Sequence, residues 1–289
     1  MLLFLVLYSF VSLGQNNIII GQVIDADSGE PLSFSSVGWV NQNKGTVSDQ
    51  VGKFRLETLT EHQDQILRIS KMGYKTLNFS LEEILKNCSL RECPMVFELS
   101  QTATELPEFT LEAEGDFKNV VWGKANRKSI FGLTYNPKDR KPEENLGREI
   151  GLQIDTKGKK IKLEQVKITL SSLQFEKSTF RVNIYTETGE NEFVAMPQNR
   201  EIFWQLERKN TGDFMLDLSE FNILLKGKHL IGIEWVRYEK MYGSGIISMT
   251  TGYPFGKSFL KNSSQNQWEI IKGAPSIEVD GAVVQLESN

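Results

Sequence analysis

The chain has 289 residues, 39% of them hydrophobic, which is enough for two domains of ordinary size and excludes wholesale disorder. Its formal net charge of -4 leaves no basic surplus with which to neutralise phosphates, so nucleic acid is excluded as a partner. The acidity is uneven: residues 15–115 hold 8 Lys+Arg against 15 Asp+Glu, while the rest leans positive, a weak attraction between the two parts or towards different partners.

In chain order, Met1 to Leu13 is nearly all apolar, and Ser12-Leu13-Gly14 places small residues before Gln15. That pattern predicts a signal peptide over residues 1–14 and export to the periplasm, the outer-membrane surface or the medium, although no Lys or Arg precedes the apolar run. The run falls short of the ~20 residues a membrane-spanning helix needs, no later segment is long enough, and no cysteine near Gln15 supports a lipid anchor. Short apolar runs then recur about every ten residues: Ile18 to Ile24, Phe54 to Leu56, Ile66 to Ile69, Leu77 to Phe79, Met95 to Leu99 and Phe109 to Leu111. Gly, Asp, Asn and Ser separate them, which predicts strands. One helix interrupts the series. Ser80-Leu81-Glu82-Glu83 is a capping box, with Leu81, Ile84 and Leu85 sharing the apolar face of a turn that ends by Asn87.

The punctuation is ordered. Gly21-x-Val23-x-Asp25, Gly29-Glu30-Pro31-Leu32, Ser36-Val37, Gly45-Thr46-x-Ser48-Asp49-x-x-Gly52-x-Phe54 and Gly73-Tyr74 follow one another along residues 18 to about 100. The series resembles the carboxypeptidase-regulatory-like domain, also found at the N-termini of TonB-dependent outer-membrane receptors. The resemblance implies a seven-stranded transthyretin-like β-sandwich over residues 15–102 with no catalytic centre of its own, since such domains accompany peptidases without cutting. Phe54, Leu56 and Tyr74 are then core residues. Gly45 and Gly52 occupy positions where a positive φ or a close backbone leaves no room for a side chain. Phe34 departs from the small or proline residue usual in the family and is expected only to add bulk at a strand edge. Thr104 to Leu111 resembles the strand that leads into a receptor plug, and residues 103–116 read as a linker strand. No plug follows, and the chain is too short for a receptor barrel.

Residues 117–289 carry some eight further strand patterns, among them Ile161 to Leu170, Phe180 to Tyr185, Leu230 to Val236 and Ala282 to Leu286. They predict a larger antiparallel, jelly-roll-like β-sandwich and an all-β protein. Between Leu163 and Val166 the apolar phase slips, the mark of a β-bulge. Asn136 to Glu149, with two prolines and eight charged residues, reads as a long surface loop.

Chemistry is sparse. His62 and His229 are the only histidines, each in a polar or turn context, and Gly243-Ser244-Gly245 is not a nucleophile elbow. The zinc ligands of a true carboxypeptidase are missing. Asp25, Asp27 and Glu30 crowd one turn, but an EF-hand wants an acidic fifth position and a glycine at the sixth, where Gly29 and Glu30 stand. An Asx-stabilised turn accounts for them better. No catalytic residue, metal site or cofactor is expected. Cys88 and Cys93 either close a small disulfide loop, worth about 2 kcal/mol in the loop-entropy model, or stand as two half-buried thiols. Glu234, beside Trp235 on an apolar strand, is the acid to inspect first, against the plainer reading that it faces solvent. The aromatics Tyr238, Tyr242, Tyr253, Phe255 and Trp268 lie among glycines and serines. They either fill the core or offer flat faces to a sugar ring or a protein, with Tyr242, Tyr253 and Phe255 the best placed in turns.

The expected function is a non-catalytic exported cell-envelope protein. In it a spacer module carries a sandwich that binds a glycan or an envelope protein. An accessory or degenerate hydrolase, associated with a peptidase or a glycoside hydrolase, is the first alternative. A structural or adhesion protein is the second.

Overall fold

The computed structural model describes residues 18–58, 65–86, 92–102, 118–208 and 212–284. The expected signal peptide, His62, the linker strand and Cys88 lie outside these residues, as does the side chain of Cys93.

The first part is the expected seven-stranded sandwich. Its strands are β1 (Ile18–Asp25), β2 (Ser36–Trp39), β3 (Gly45–Val47), β4 (Lys53–Glu57), β5 (Ile66–Ser70), β6 (Leu77–Ser80) and β7 (Glu92–Leu99). One sheet runs β4-β1-β7 and the other β3-β2-β5-β6. β1 alternates strictly, turning Ile19 and Val23 inward, so its register is fixed by burial. It pairs antiparallel with β4 and parallel with β7, from Ile18 opposite Glu92 to Asp25 opposite Leu99. Val37, Trp39, Leu67, Ile69, Phe97 and Leu99 complete the core between the sheets. Trp39 keeps its indole N–H satisfied on the Glu57 carbonyl at 2.9 Å.

Helix α1 (Leu81–Lys86) starts at the capping box. The Ser80 amide donates to Glu83 Oε2 at 2.7 Å, and the Glu83 amide donates to Ser80 Oγ at 3.2 Å. Leu81 and Ile84 are buried, but Leu85 is exposed: six residues make too short a helix for all three to reach the core. Gly52 has φ +74°, and a Cβ there would lie 2.3 Å from the Val23 carbonyl oxygen.

The second part is a larger antiparallel sandwich. In order come β8 (Asn119–Gly123), β9 (Gly132–Thr134), β10 (Glu149–Asp155), β11 (Ile161–Leu173), β12 (Phe175–Gly189), β13 (Glu192–Ala195) and β14 (Ile202–Glu207). They are followed by β15 (Gly212–Asp217), β16 (Leu224–Leu225), β17 (Lys228–Met241), β18 (Ile247–Thr250), β19 (Lys257–Lys261), β20 (Glu269–Lys272) and β21 (Ile277–Val283). One sheet runs β13-β12-β17-β10-β19-β20 with β14 also on β12; the other runs β8-β21-β11-β18-β9 with β15 and β16 on β11. Ile150, Val166, Ile168, Phe180, Trp235, Met249 and Val279 fill the space between them. The expected bulge is present, as the β11–β21 register slips between Leu163 and Gln165.

Residues 136–149 depart from the expected surface loop. They contain a 3-10 turn at Pro142–Asn145, bury Asn136, Asn145, Arg148 and Glu149, and lie against β3, where Thr46 Oγ1 donates to the Glu143 carbonyl at 3.1 Å. Prolines and charges mark the irregular backbone correctly, but the first sandwich covers part of it. Phe34 likewise does more than add bulk, since its ring packs on Phe203 of β14 with centroids 5.1 Å apart.

Candidate functional site: a polar cleft between the sandwiches

On β12, Val182 and Ile184 face the core while Arg181, Asn183 and Tyr185 face the first sandwich. The register then lines up one rung across four neighbouring strands. Arg181 stands opposite Glu234 of β17, Glu234 opposite Glu149 of β10, and Glu149 opposite Lys261 of β19. Charges in the order plus, minus, minus, plus therefore cross the sheet, and opposite neighbours attract. Asn183 relieves the like pair by donating from Nδ2 to Glu149 Oε1 at 2.9 Å and to Glu234 Oε2 at 2.8 Å. Gly232 makes room, because a Cβ there would sit 2.0 Å from Glu149 Oε1.

Arg181 is the centre of this junction and is buried. Its Nε and Nη2 donate to Glu234 Oε2 at 2.9 and 2.8 Å, and its Nη1 donates to Glu201 Oε1 at 2.8 Å. The remaining donors cross to the first sandwich, Nη1 to the Phe34 carbonyl at 2.8 Å and Nη2 to Ser36 Oγ at 2.9 Å. All five N–H groups of the guanidinium are thus used. Burial disfavours its charge, but Glu234 and Glu201 more than offset that and raise its pKa. From the first sandwich, Lys71 answers with donations to Glu201 Oε2 at 2.6 Å and to the Ser33 carbonyl at 2.8 Å.

Glu149 is held by the Tyr185 hydroxyl at 2.9 Å and by Lys261 Nζ at 3.0 Å. Burial, then the Glu149 charge, pushes the Tyr185 phenol well above its ordinary value and keeps it a donor. Lys261 also lies over the Trp268 ring at 4.4 Å and the Tyr185 ring at 4.8 Å, two cation–π contacts.

Backbone fit tightens the junction. A Cβ on Gly38 would lie 2.3 Å from the Ser264 carbonyl oxygen, and one on Gly45 would lie 2.6 Å from it. Gly45 is therefore required by close approach from the second sandwich. Ser263 Oγ donates to the Gln42 carbonyl at 2.9 Å, and Gln265 Nε2 to Ser70 Oγ at 2.7 Å.

Beside the lock a cleft of about 510 Å³ opens between the two sandwiches. Arg68, Lys71 and Thr76 line one wall, Met196 and Gln198 another, and the Glu149–Arg181–Glu234 rung the floor. Both amide atoms of Gln198 are buried and have no hydrogen-bond partner among the described residues. The volume is that of a small-molecule site, but the lining is more polar than usual.

Glu234 does not face solvent. It is buried against the first sandwich and ion-paired, because the polar face of this sheet is covered rather than wetted. His229 is also buried, on β17, with Nε2 3.2 Å from the Lys226 carbonyl oxygen and its pKa lowered by burial. Asp25 forms the expected Asx turn, its Oδ1 accepting from the amides of Asp27 and Ser28 at 2.9 Å. Its Oδ2 accepts from Gln101 Nε2 at 2.8 Å and from the half-buried Tyr74 hydroxyl at 2.9 Å. These donors, Gln101 foremost, hold the carboxyl well below the usual range. Among the described residues, no group of three or more His, Cys, Asp or Glu side chains is placed to hold a metal.

The aromatic candidates do not share one groove. Tyr238 packs on Phe175 and Trp235 and donates to Glu143; Tyr242 lies under Arg208 and donates to Glu176. Trp268 stacks edge-on against Tyr185 below the cleft. Tyr253 and Phe255 stand exposed at another end of the second sandwich, with Tyr253 against Phe131. Sequence reasoning missed Arg181, Glu149, Asn183 and Lys261. Their only trace was a polar residue at every second position of an otherwise apolar strand, which a solvent-facing strand shows equally.

No curated protein matches the chain. Among solved structures, the cysteine protease and lectin-like domains of Cwp84, a surface layer associated protein of Clostridium difficile, align with 13% identity over 47% of this chain and 32% of that one, TM-score 0.32. The structure of infectious bursal disease virus Gx strain aligns with 9% identity over 94% of this chain and 60% of that one, TM-score 0.28. A carbohydrate-binding module of the β-sandwich superfamily aligns with 10% identity over 89% of this chain and 98% of that one, TM-score 0.21. The chain thus spans less than two thirds of the first two, and similarity at these scores carries no functional argument. The family comparison is more specific, since a CarboxypepD_reg-like domain model matches residues 19–111, the stretch that holds the seven-stranded sandwich. Residues 19–111 of this chain are a carboxypeptidase-regulatory-like domain.

Proposed function

We propose that this is a non-catalytic, exported cell-envelope protein whose regulatory-like sandwich is a rigid spacer docked on the second, and whose cleft between the two binds a glycan. One observation carries the reading. The acids on the cleft floor and wall are already committed to the fold: Glu234 to Arg181, Glu149 to Lys261, Tyr185 and Asn183, and Glu201 to Lys71 and Arg181. A general acid or base must be free to exchange its proton with substrate, and carboxylates locked to cations in this way are poorly suited to that. What the cleft still offers is neutral and polar, the amide of Gln198 and hydroxyls such as Thr76, which suits an uncharged polyhydroxylated ligand.

Trp268 does not line the cleft but packs edge-on against Tyr185, which does, and is therefore a reporter. Titrating the full chain with a panel of polysaccharides should change its fluorescence for at least one member, and Gln198→Ala should weaken that response. A flat response across the panel overturns the glycan reading. The alternative of a degenerate hydrolase rests on Glu149 and Glu234 lying side by side across Asn183. It predicts sugar release that Glu149→Gln abolishes, whereas the binding role predicts no release from either protein.

A further inference from the structure

One end of the second sandwich, which does not line the cleft, has a composition of its own. Ile130 and Phe255 are 95% and 79% exposed, and Phe131 and Tyr253 are about half exposed, far more than a soluble surface gives large apolar side chains by chance. They form one patch. The Thr251 amide donates to the Phe131 carbonyl at 3.0 Å, and the Phe131 and Tyr253 rings meet with centroids 4.7 Å apart. The loop is built rather than loose: Phe255 donates to Gly252 at 2.9 Å, Ala274 to Phe255 at 2.8 Å and Gly273 to Gly256 at 3.0 Å. Aromatic side chains are thus held out into solvent by a hydrogen-bonded frame.

Cations surround the patch. Lys257 and Lys272 face each other across β19 and β20 immediately behind Gly256 and Gly273, and both are exposed, with Lys257 Nζ resting over the Phe259 ring at 4.9 Å and 3.4 Å from Asn191 Oδ1. Arg127 donates from Nε to the Pro275 carbonyl at 3.2 Å, and exposed Lys128 follows it. The three segments that make this end, 124–134, 250–258 and 270–276, contain five Lys or Arg and no Asp or Glu, in a protein of net charge -4. At their base Glu278 is occupied by Lys167 at 3.0 Å.

We propose that this end is a membrane-docking tip, on which Ile130, Phe131, Tyr253 and Phe255 enter the headgroup region of an anionic lipid bilayer while Lys128, Lys257 and Lys272 bind its phosphates. Apolar and aromatic side chains ringed by lysines match the two layers of such an interface, where rings sit at headgroup level and each nearby cation adds attraction. A glycan would use the rings without the lysines, and an apolar protein partner would disfavour so many uncompensated charges. The tip and the cleft are separate, so this inference does not rest on the glycan reading.

The test is flotation of the full chain with vesicles of phosphatidylcholine alone and of phosphatidylcholine with phosphatidylglycerol. Binding should require the anionic lipid and fade as salt is raised through physiological strength. Lys257→Gln with Lys272→Gln should weaken binding about tenfold or more, and Phe255→Ala should weaken it several-fold with thermal stability unchanged. Failure to float with anionic vesicles overturns the proposal. So does flotation that neither variant reduces, which would place the lipid contact elsewhere, and so does a tip variant that loses polysaccharide binding while keeping vesicle binding.

Discussion

The turn at Asp25 and the junction at Arg181 are both polar, both buried and both fully hydrogen-bonded, yet they hold the molecule together in different ways. Asp25 gathers donors from a short stretch, Asp27 and Ser28, and from two bridged residues of its own sandwich, Tyr74 and Gln101. Arg181 gathers acceptors from β12's neighbours and from Phe34 and Ser36, more than 140 residues away in the other sandwich. The first network shapes a motif. The second joins two folds, and its charges are expensive to strand because no water replaces a lost partner.

The most damaging way to break the contrast is Arg181→Met, which leaves Glu234 and Glu201 facing a thioether. Chemical denaturation should show a loss of about 3–5 kcal/mol, and Arg181→Met with Glu234→Leu should recover part of it, because the stranded charge is then gone too. A loss below about 1 kcal/mol for the single variant would mean the junction is ornamental. Next in size is Gly45→Ala, which pushes a methyl towards the Ser264 carbonyl and should cost about 1–3 kcal/mol by overpacking. Asp25→Asn acts mainly through pH. The folded-state pKa of Asp25 is depressed, so its stabilisation is present at neutral pH and drains away as pH falls below roughly 4. Melting temperatures across that range should fall more steeply for the native chain than for Asp25→Asn. Smallest is Ser80→Ala at the capping box, about 0.5–2 kcal/mol and confined to the first sandwich.

The same contrast explains what could be read from the chain. The Asx turn, the capping box, Gly52 and the bulge after Leu163 are local, so spacing along the sequence reports them directly. Arg181, Glu149 and Lys261 required knowledge of which strands are neighbours and in what register. A single sequence does not carry that information, and the alternation along β12 is equally that of a strand with one wet face. Glu234 drew notice because an acid beside Trp235 is unusual, but its partner lies on another strand. The aromatics were harder still. Composition flagged Tyr238 and Phe255 alike, and only the fold separates the one packed on Trp235 from the one standing in solvent.

The glycine pair on β2 and β3 has one more consequence. Ser264 seats its carbonyl against Gly38 and Gly45, Ser263 and Gln265 bond across the same seam, and Arg181 bolts it from below. None of these ties runs through the peptide that connects the halves. A protease that nicks residues 103–117 should therefore yield two fragments that still elute together, whereas the regulatory-like fragment produced by itself would present a glycine-floored notch with nothing to fill it.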